Sequence, residues 1–266
     1  ISVRHLCRIA NRPKLQEQAQ LLRLCERGRN PRHVAMLADV RRYAFTLAEV
    51  LVTLGIIGVV SAMTVPSLMQ NYQRQSYVTQ LHKVYNELNQ ALIRYQTDSN
   101  AVSLREAGLT SNSAYGSFLK KYFNVVQDCG TTPTPCFSAS YKKLSGVNSG
   151  FKCTYNCMVL SSGASIGTFI GTNNIVQFVV DINGSKGPNI YGRDAFSLYL
   201  YTNGVIDDLA LEDIEDSDNL NWANAAAPLT KEQREQNYTR ACIGNNSSEW
   251  HGCFGKILND NWQMTY

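Results

Sequence analysis

The sequence predicts an α+β fold, in which one long N-terminal helix packs against a C-terminal antiparallel β-sheet. Three observations support this prediction: an apolar run at 45–65, helical periodicity over 67–96, and short strand-like segments separated by turn residues between 158 and 201. Hydrophobic residues make up 44% of the 266-residue chain and charged residues 17%, a balance that is typical of a folded protein and excludes wholesale disorder.

The positive charge of the chain is concentrated at its beginning. The formal net charge is +4, but residues 1–44 hold ten Lys and Arg against three acidic residues, so the rest of the chain carries −3. The basic composition is therefore no argument for nucleic-acid binding by the body of the protein. We interpret residues 1–44 as a leader rather than an RNA-binding arm. Met36 is an alternative start, in which case 1–35 are upstream reading frame; otherwise they belong to a long cytoplasmic leader that is removed on processing.

The segment 45–65 is long enough to cross a membrane. It holds 21 residues with Glu49 as its one charge, and at about 1.5 Å per residue such a helix spans roughly 30 Å, the thickness of a bilayer core. Arg41 and Arg42 precede it, and the positive-inside rule places that side in the cytoplasm. A carboxylate inside hydrocarbon is costly, so Glu49 is predicted to be a functional residue.

The residues at the start of this segment resemble the cleavage and methylation motif of type IV prepilins and type II secretion pseudopilins. The motif reads RRYAFTLAE over 41–49. The resemblance implies that a prepilin peptidase cuts between Ala44 and Phe45 on the cytoplasmic side and methylates the new amino group of Phe45. Glu49 then becomes the fifth residue of the mature chain, and Pro66 lies where the family has a helix-kinking proline. Ala44 replaces the usual glycine before the cut, and alanine is the nearest small substitute.

The resemblance also implies a structural role in a pilus or a secretion pseudopilus. Within a bundle of such helices, Glu49 can neutralise the Phe45 amino group of a neighbouring subunit. Gly55 and Gly58 either weaken the helix locally or allow close helix packing, and Pro66 favours bending there. The implied partners are further copies of this chain, other pilin-like subunits, the prepilin peptidase, an inner-membrane assembly platform and membrane lipid. Nucleic acid is not expected as a partner.

Two other functions stay open for a chain with this apolar segment. It could be a single-pass anchor for an extracytoplasmic protein that binds DNA, a surface or a secreted substrate without polymerising. It could also be a secretory signal that is cut after Ala62 and releases a soluble domain. The prepilin interpretation accounts for Glu49, which neither alternative requires. It places the chain in the bacterial inner membrane with its N-terminus in the cytoplasm and its head in the periplasm or on the cell surface.

The residues after Pro66 predict the rest of the helix and a globular head. Apolar residues recur every three or four positions, which makes 67–100 the amphipathic half of the helix and leaves 101–266 for the head. A short helix is expected at Tyr115–Asn124. Turn residues separate four predicted strands, which are Met158–Leu160, Ala164–Ile170, Ile175–Asp181 and Ala195–Tyr201. This block resembles the C-terminal sheet of pilin-like secretion proteins.

Six of the eight cysteines lie in the predicted head. They are Cys129, Cys136, Cys153, Cys157, Cys242 and Cys253. An even number in one domain favours disulfides and an oxidising compartment. Zinc is the alternative, because Cys153 and Cys157 have a CxxxC spacing, but no histidine lies near the first four cysteines. The spacing alone leaves the connectivity open.

Two local bridges are suggested. One between Cys129 and Cys136 would close a proline-rich loop, and the family resemblance implies another between Cys242 and Cys253 near the C-terminus. His251 and Cys253 have the residue types of a catalytic pair, but a cysteine in an oxidising compartment is expected to be bridged. The sequence contains no HExxH, P-loop or dinucleotide-binding motif, so an enzyme is not expected.

Two acidic features have a possible ligand or partner. Asp181, Asn183 and Asp194 surround a glycine-rich loop, where calcium is conceivable. Their spacing is not that of an EF-hand, and a hairpin turn with side-chain caps is the preferred interpretation. No other cofactor is expected. The stretch 207–218 holds seven carboxylates and is predicted to be a solvated loop, with a docking patch for a basic partner as the alternative.

Overall fold

The computed structural model describes residues 46–171, 175–210 and 227–266. Their arrangement confirms the predicted α+β fold, with a long apolar N-terminal helix and a six-stranded antiparallel sheet. The chain divides into two compact units, and the boundary lies between Met63 and Thr64. The second unit contains the amphipathic half of the helix together with the sheet. The predicted leader at 1–44 lies outside the described residues.

In the described ranges, the long helix is followed by a short helix, eight strands and a helical C-terminal segment. In chain order they are α1 Leu47–Asp98, α2 Asn112–Tyr122, β1 Val125–Gly130, β2 Tyr141–Lys142, β3 Asn148–Ser149, β4 Tyr155–Leu160, β5 Ser165–Ile170, β6 Val176–Asp181, β7 Ala195–Leu200, β8 Ile206–Asp207, α3 Lys231–Asn237, a π-helical turn Tyr238–Cys242 and α4 Cys253–Asn259. The four predicted strands are confirmed as β4 to β7, with boundaries shifted by up to three residues.

One side of the second half of α1 is buried in the main core of the head. The buried residues recur at three- and four-residue intervals, as an amphipathic helix requires; they are Val78, Leu81, Val84, Leu88, Ala91 and Leu92. They belong to the same apolar cluster as Phe178 of β6 and Leu198 of β7. Aromatic contacts extend this packing, since the Tyr85 ring lies 5.0 Å from that of Trp262 and 5.8 Å from that of Phe254.

The large sheet has the strand order β1-β4-β5-β6-β7-β8, and every neighbouring pair is antiparallel. Strands β6 and β7 are buried along their whole length. At the end of β7, alternate residues enter two different apolar clusters. Leu198 and Leu200 belong to the main core, whereas Tyr199 and Tyr201 pack in a second cluster with Leu209. A strand covered on both faces is expected to be apolar throughout.

The prediction of a solvated loop at 207–218 is wrong for its first two residues. Asp207 and Asp208 are only 1% and 0% exposed. The Asp208 carboxylate accepts hydrogen bonds from the backbone N–H groups of Gly252, at 2.9 Å, and Gly255, at 2.6 Å. It therefore ties the sheet to the start of α4, and a carboxylate is buried where such donors replace water. The stretch from 211 onwards lies outside the described residues.

Candidate functional site

The first turn of α1 contains a reciprocal pair of side-chain caps. Thr46 precedes the first helical residue, and Glu49 follows three positions later. Glu49 Oε2 accepts hydrogen bonds from the backbone N–H of Thr46, at 2.8 Å, and from its hydroxyl, at 2.9 Å. The Glu49 N–H donates to Thr46 Oγ1 at 3.2 Å. This arrangement is a capping box, which satisfies donors that the helix start leaves free. Glu49 thus has a local structural role in addition to the one that its charge predicts.

The first half of α1 exposes its apolar side chains. Leu47 is 77% exposed, and Val50, among the most covered of them, is still 39% exposed. Within the part of the chain that the structure describes, α1 is the one helix that is long and apolar enough to cross a membrane. An apolar surface of this extent is stable only when lipid or another protein covers it. The segment therefore fits membrane anchoring.

Three predicted assembly residues lie further along this helix. Neither Gly55 nor Gly58 has another described atom within 4 Å of the position that a β-carbon would occupy. Packing within the described part of this chain therefore does not require glycine at either position. In a contact between two helices, glycine allows the backbones to approach closely. Pro66 lies inside α1 and does not end it, although it lacks the N–H that the helix would use. The packing roles of the glycines and bending at Pro66 stay predictions.

The six cysteines of the head form three local disulfides: Cys129–Cys136, Cys153–Cys157 and Cys242–Cys253. The paired residues are separated by 7, 4 and 11 positions. A bridged sulfur offers no thiolate to a metal, so these pairs leave the CxxxC spacing without its zinc ligands. They also remove Cys253 as a nucleophile for His251. Cys129 lies in β1, not in the predicted loop.

We expect Cys253→Ser to lower the free energy of unfolding by about 2–3 kcal/mol, because the bridge closes a loop of roughly ten residues. Both Cys242 and Cys253 are fully buried. Thermal unfolding of the full chain in detergent, followed by circular dichroism, measures the loss. Cys129→Ser gives a second measurement of the same kind, because its bridge joins residues 7 positions apart and should contribute only a few tenths of a kcal/mol less. An unchanged melting temperature for Cys253→Ser would contradict a stabilising role of the bridge.

The loop between β6 and β7 contains the residues considered for calcium. Asp181 is buried, and its carboxylate accepts hydrogen bonds from the Tyr141 hydroxyl, at 2.6 Å, and the Asn183 N–H, at 3.3 Å. The Asp194 carboxylate accepts two backbone N–H groups of the same loop, at 2.7 and 2.8 Å. These contacts are those of a hairpin turn with side-chain caps.

The observations that bear on calcium point in opposite directions. The amide oxygens of Asn183 and Asn189 are buried and have no hydrogen-bond partner among the described residues, and calcium is bound by such oxygens. However, burial raises the pKa of Asp181 to about 8, so this carboxyl is largely protonated at neutral pH. Among the described residues, no group of three or more His, Cys, Asp or Glu could hold a metal ion. Calcium therefore stays an untested hypothesis; saturable binding in calorimetry, lost in Asp181→Ala, would establish it.

The buried carboxyls predict how stability depends on pH. Burial raises the pKa of Asp181 to about 8 and that of Asp208 to about 6, from an ordinary value of 3.8. The folded chain therefore binds these protons more tightly than the unfolded chain, and their contribution to stability is lost as the pH rises through these values. We expect the denaturant midpoint to fall between about pH 4, near the ordinary pKa, and about pH 8, the raised pKa of Asp181, and to fall less in Asp181→Asn. The same fall in wild type and variant would contradict this assignment to Asp181.

These features define a class of protein: an α+β chain whose long helix has an exposed apolar half and whose head is closed by disulfides. Residues 40–65 match a family model described as the prokaryotic N-terminal methylation motif, which is the prepilin-type cleavage and methylation signature. A search of curated proteins and of solved structures found no match. The motif supports a pilin-like or pseudopilin precursor, and it indicates a structural subunit rather than an enzyme. In general terms, it also implies other pilin subunits and a prepilin peptidase as partners.

The match covers Ala44 and Phe45, the predicted processing site, which lie outside the described residues. It also covers Glu49, Gly55 and Gly58, which the structure places along one helix. The capping role of Glu49 was missed from the sequence, although Thr46-Leu47-Ala48-Glu49 has the spacing of a capping box and could have indicated it.

Proposed function

We propose that this chain is the precursor of a structural subunit that is cut between Ala44 and Phe45, methylated on the Phe45 amino group, and assembled into a type IV pilus or a type II secretion pseudopilus. The observation that supports this most directly is the position of the motif relative to the helix. The proposed cut lies two residues before Leu47, where α1 begins. Cleavage there leaves the whole apolar half of α1 on the product, where it can serve in assembly.

Before assembly, the apolar half of α1 holds the subunit in the bacterial inner membrane. Arg41 and Arg42 keep the N-terminus in the cytoplasm, so the head lies in the periplasm and reaches the cell surface if the filament extends that far. The three disulfides support an oxidising compartment for the head. The partners in this state are membrane lipid, the prepilin peptidase and an inner-membrane assembly platform.

During assembly, the α1 helices of neighbouring subunits cover one another's exposed apolar side chains. In the isolated chain, the Glu49 carboxylate accepts hydrogen bonds from Thr46. In a bundle the same carboxylate can neutralise the Phe45 amino group of a neighbour. The pair is favourable there because two opposite charges in a low dielectric each offset the cost of burying the other.

Intact mass and N-terminal sequencing of the protein from native membranes test the processing step. We expect a chain that begins at N-methylated Phe45. An uncut leader would instead support a membrane-anchored binding protein, and a chain that begins at Met63 would support a secreted domain.

Substitution of Ala44 tests the same step from the other side of the cut. Ala44→Leu replaces the small residue before the bond and should leave the leader uncut, whereas Ala44→Gly should be processed at least as fully as wild type. The ratio of precursor to mature chain on an immunoblot measures both. Equal processing of Ala44→Leu and Ala44→Gly would contradict the proposed cleavage site.

A further inference from the structure

The head contains a cavity of about 390 Å³ that the proposed assembly function does not use. One wall is a row of cross-strand partners, Phe169, Gln177 and Tyr199, which stand opposite one another on β5, β6 and β7. Trp250 and His251 line the cavity from the C-terminal segment. Sites for small molecules commonly measure about 300–1,000 Å³ and combine aromatic side chains with a few polar groups. The cavity has the size and composition of such a site.

One polar side chain that lines the cavity from the C-terminal segment has no hydrogen-bond partner among the described residues. His251 is 2% exposed, and neither of its ring nitrogens has a hydrogen-bond partner among the described residues. Burial, together with the positive charges of Arg240 and Lys143, lowers the pKa of His251 to about 3, so the ring is neutral. A neutral imidazole has one donor and one acceptor nitrogen.

The C-terminal wall is fixed by contacts that span the head. The Lys143 ammonium donates to the backbone carbonyls of Asn246, at 2.8 Å, and Glu249, at 2.9 Å. The Glu249 carboxylate accepts hydrogen bonds from the Arg240 guanidinium at 2.8 and 3.0 Å. The Cys242–Cys253 bridge closes the same segment. A wall that is already ordered reduces the conformational entropy that a ligand must remove on binding.

The charges around the cavity favour a neutral ligand. Glu249 is neutralised by its ion pair with Arg240, with side-chain exposures of only 10% and 19%. Lys152 is the one cation among the described lining residues, and the chain after residue 44 carries a net −3. A nucleic acid or another polyanion would need several basic side chains here. The polar side chains that line the cavity are mostly neutral, and the Gln177 amide among them donates to the hydroxyls of Ser197 and Tyr199 at 3.1 and 3.0 Å.

The aromatic surface extends beyond the cavity. The Phe169 ring stacks on that of Tyr155 with 6.5 Å between centroids and 17° between planes, and each residue is 36% exposed. Sugar rings present a face of C–H groups that suits an aromatic ring and a rim of hydroxyls that suits polar side chains. We propose that this cavity binds a neutral carbohydrate, with one sugar unit against Phe169, Trp250 and His251 and the next unit on Tyr155.

Saturation-transfer NMR of the full chain tests this proposal, in a detergent whose headgroup is not a sugar. The probes are cellobiose, maltose and N,N′-diacetylchitobiose. We expect saturable binding of at least one of them, weakened roughly tenfold in Phe169→Ala, a loss of the size expected for one aromatic contact. Val126→Ala is the matched control, because Val126 is an apolar strand residue that is 63% exposed and does not line the cavity. It should bind as wild type does.

Tyr155→Ala tests the second part of the site. It should weaken a bound disaccharide but not the corresponding monosaccharide. The proposal is overturned if none of the three probes binds saturably, if Phe169→Ala and Val126→Ala bind equally, or if a twelve-nucleotide oligo-dT displaces the sugar. None of these measurements requires cleavage or assembly, so their failure would leave the proposed subunit function untouched, and failure of that function would leave this site untouched.

Discussion

Glu49→Gln should strongly reduce assembly of the subunit while leaving the start of α1 intact. A glutamine at this position can still form the capping box with Thr46, because its amide oxygen accepts the same hydrogen bonds. It cannot neutralise the Phe45 amino group of a neighbouring subunit, which would then be buried without a counter-charge. We expect the fraction of subunits recovered in sheared filaments or pseudopili to fall by roughly tenfold or more.

Two further variants separate charge from capping. Glu49→Ala removes both and should assemble no better than Glu49→Gln. Thr46→Val removes the capping oxygen and keeps the charge, so it should assemble far better than either. Membrane levels of processed chain serve as the control for expression. If Glu49→Gln assembles as wild type and Glu49→Ala does not, the carboxylate acts through the capping box alone. If none of the three variants changes the recovery of subunits in filaments or pseudopili, the result supports an anchored binding protein instead.

Asp207→Ala should destabilise the head by about 3–5 kcal/mol, the usual cost of removing one partner of a buried ion pair. Asp207 Oδ1 accepts from Arg234 Nε at 2.8 Å, and Oδ2 accepts from Arg234 Nη2 at 2.6 Å. Oδ2 also accepts the Leu229 N–H at 2.8 Å. The substitution therefore leaves the Arg234 guanidinium with its long hydrogen bond to Asn259 Oδ1, at 3.4 Å, and removes the acceptor of the Leu229 and Asp208 backbone N–H groups. At about 2–4 °C per kcal/mol, the melting temperature of the full chain in detergent should fall by roughly 10 °C.

Asp128→Ala is the matched control for this measurement. Asp128 forms an equally short ion pair with Lys120, at 2.7 Å, but the side chains are 38% and 56% exposed. An exposed pair of this kind contributes no more than about 1 kcal/mol. Equal effects of Asp207→Ala and Asp128→Ala would show that burial of the Asp207 pair adds nothing to stability.

The elements that sequence patterns predicted are those with a long or regular hydrophobic period. The helix periodicity extends over 67–96, and strands β4 to β7 are apolar segments bounded by turn residues. Strand β1 was missed because Val125–Gly130 lies at the sheet edge and is mostly exposed, so its residues do not show the alternation of a half-buried strand. Helices α3 and α4 were missed because each has only seven residues, too few to establish a helical period.

The sequence by itself determined the features that depend on residues adjacent in the chain. These are the methylation motif, the length and polarity of the apolar segment, and the position of Glu49 in it. The two bridges suggested from the sequence, Cys129–Cys136 and Cys242–Cys253, are also local and are present. Tertiary structure alone decided that Asp207 and Asp208 are buried and that a cavity forms beside His251. The reason is distance along the chain: Asp207 meets Arg234 across 27 positions, and Lys143 meets Glu249 across 106. A carboxylate in an acidic stretch has the same local pattern whether it is solvated or buried, and only a partner brought in by folding decides between them.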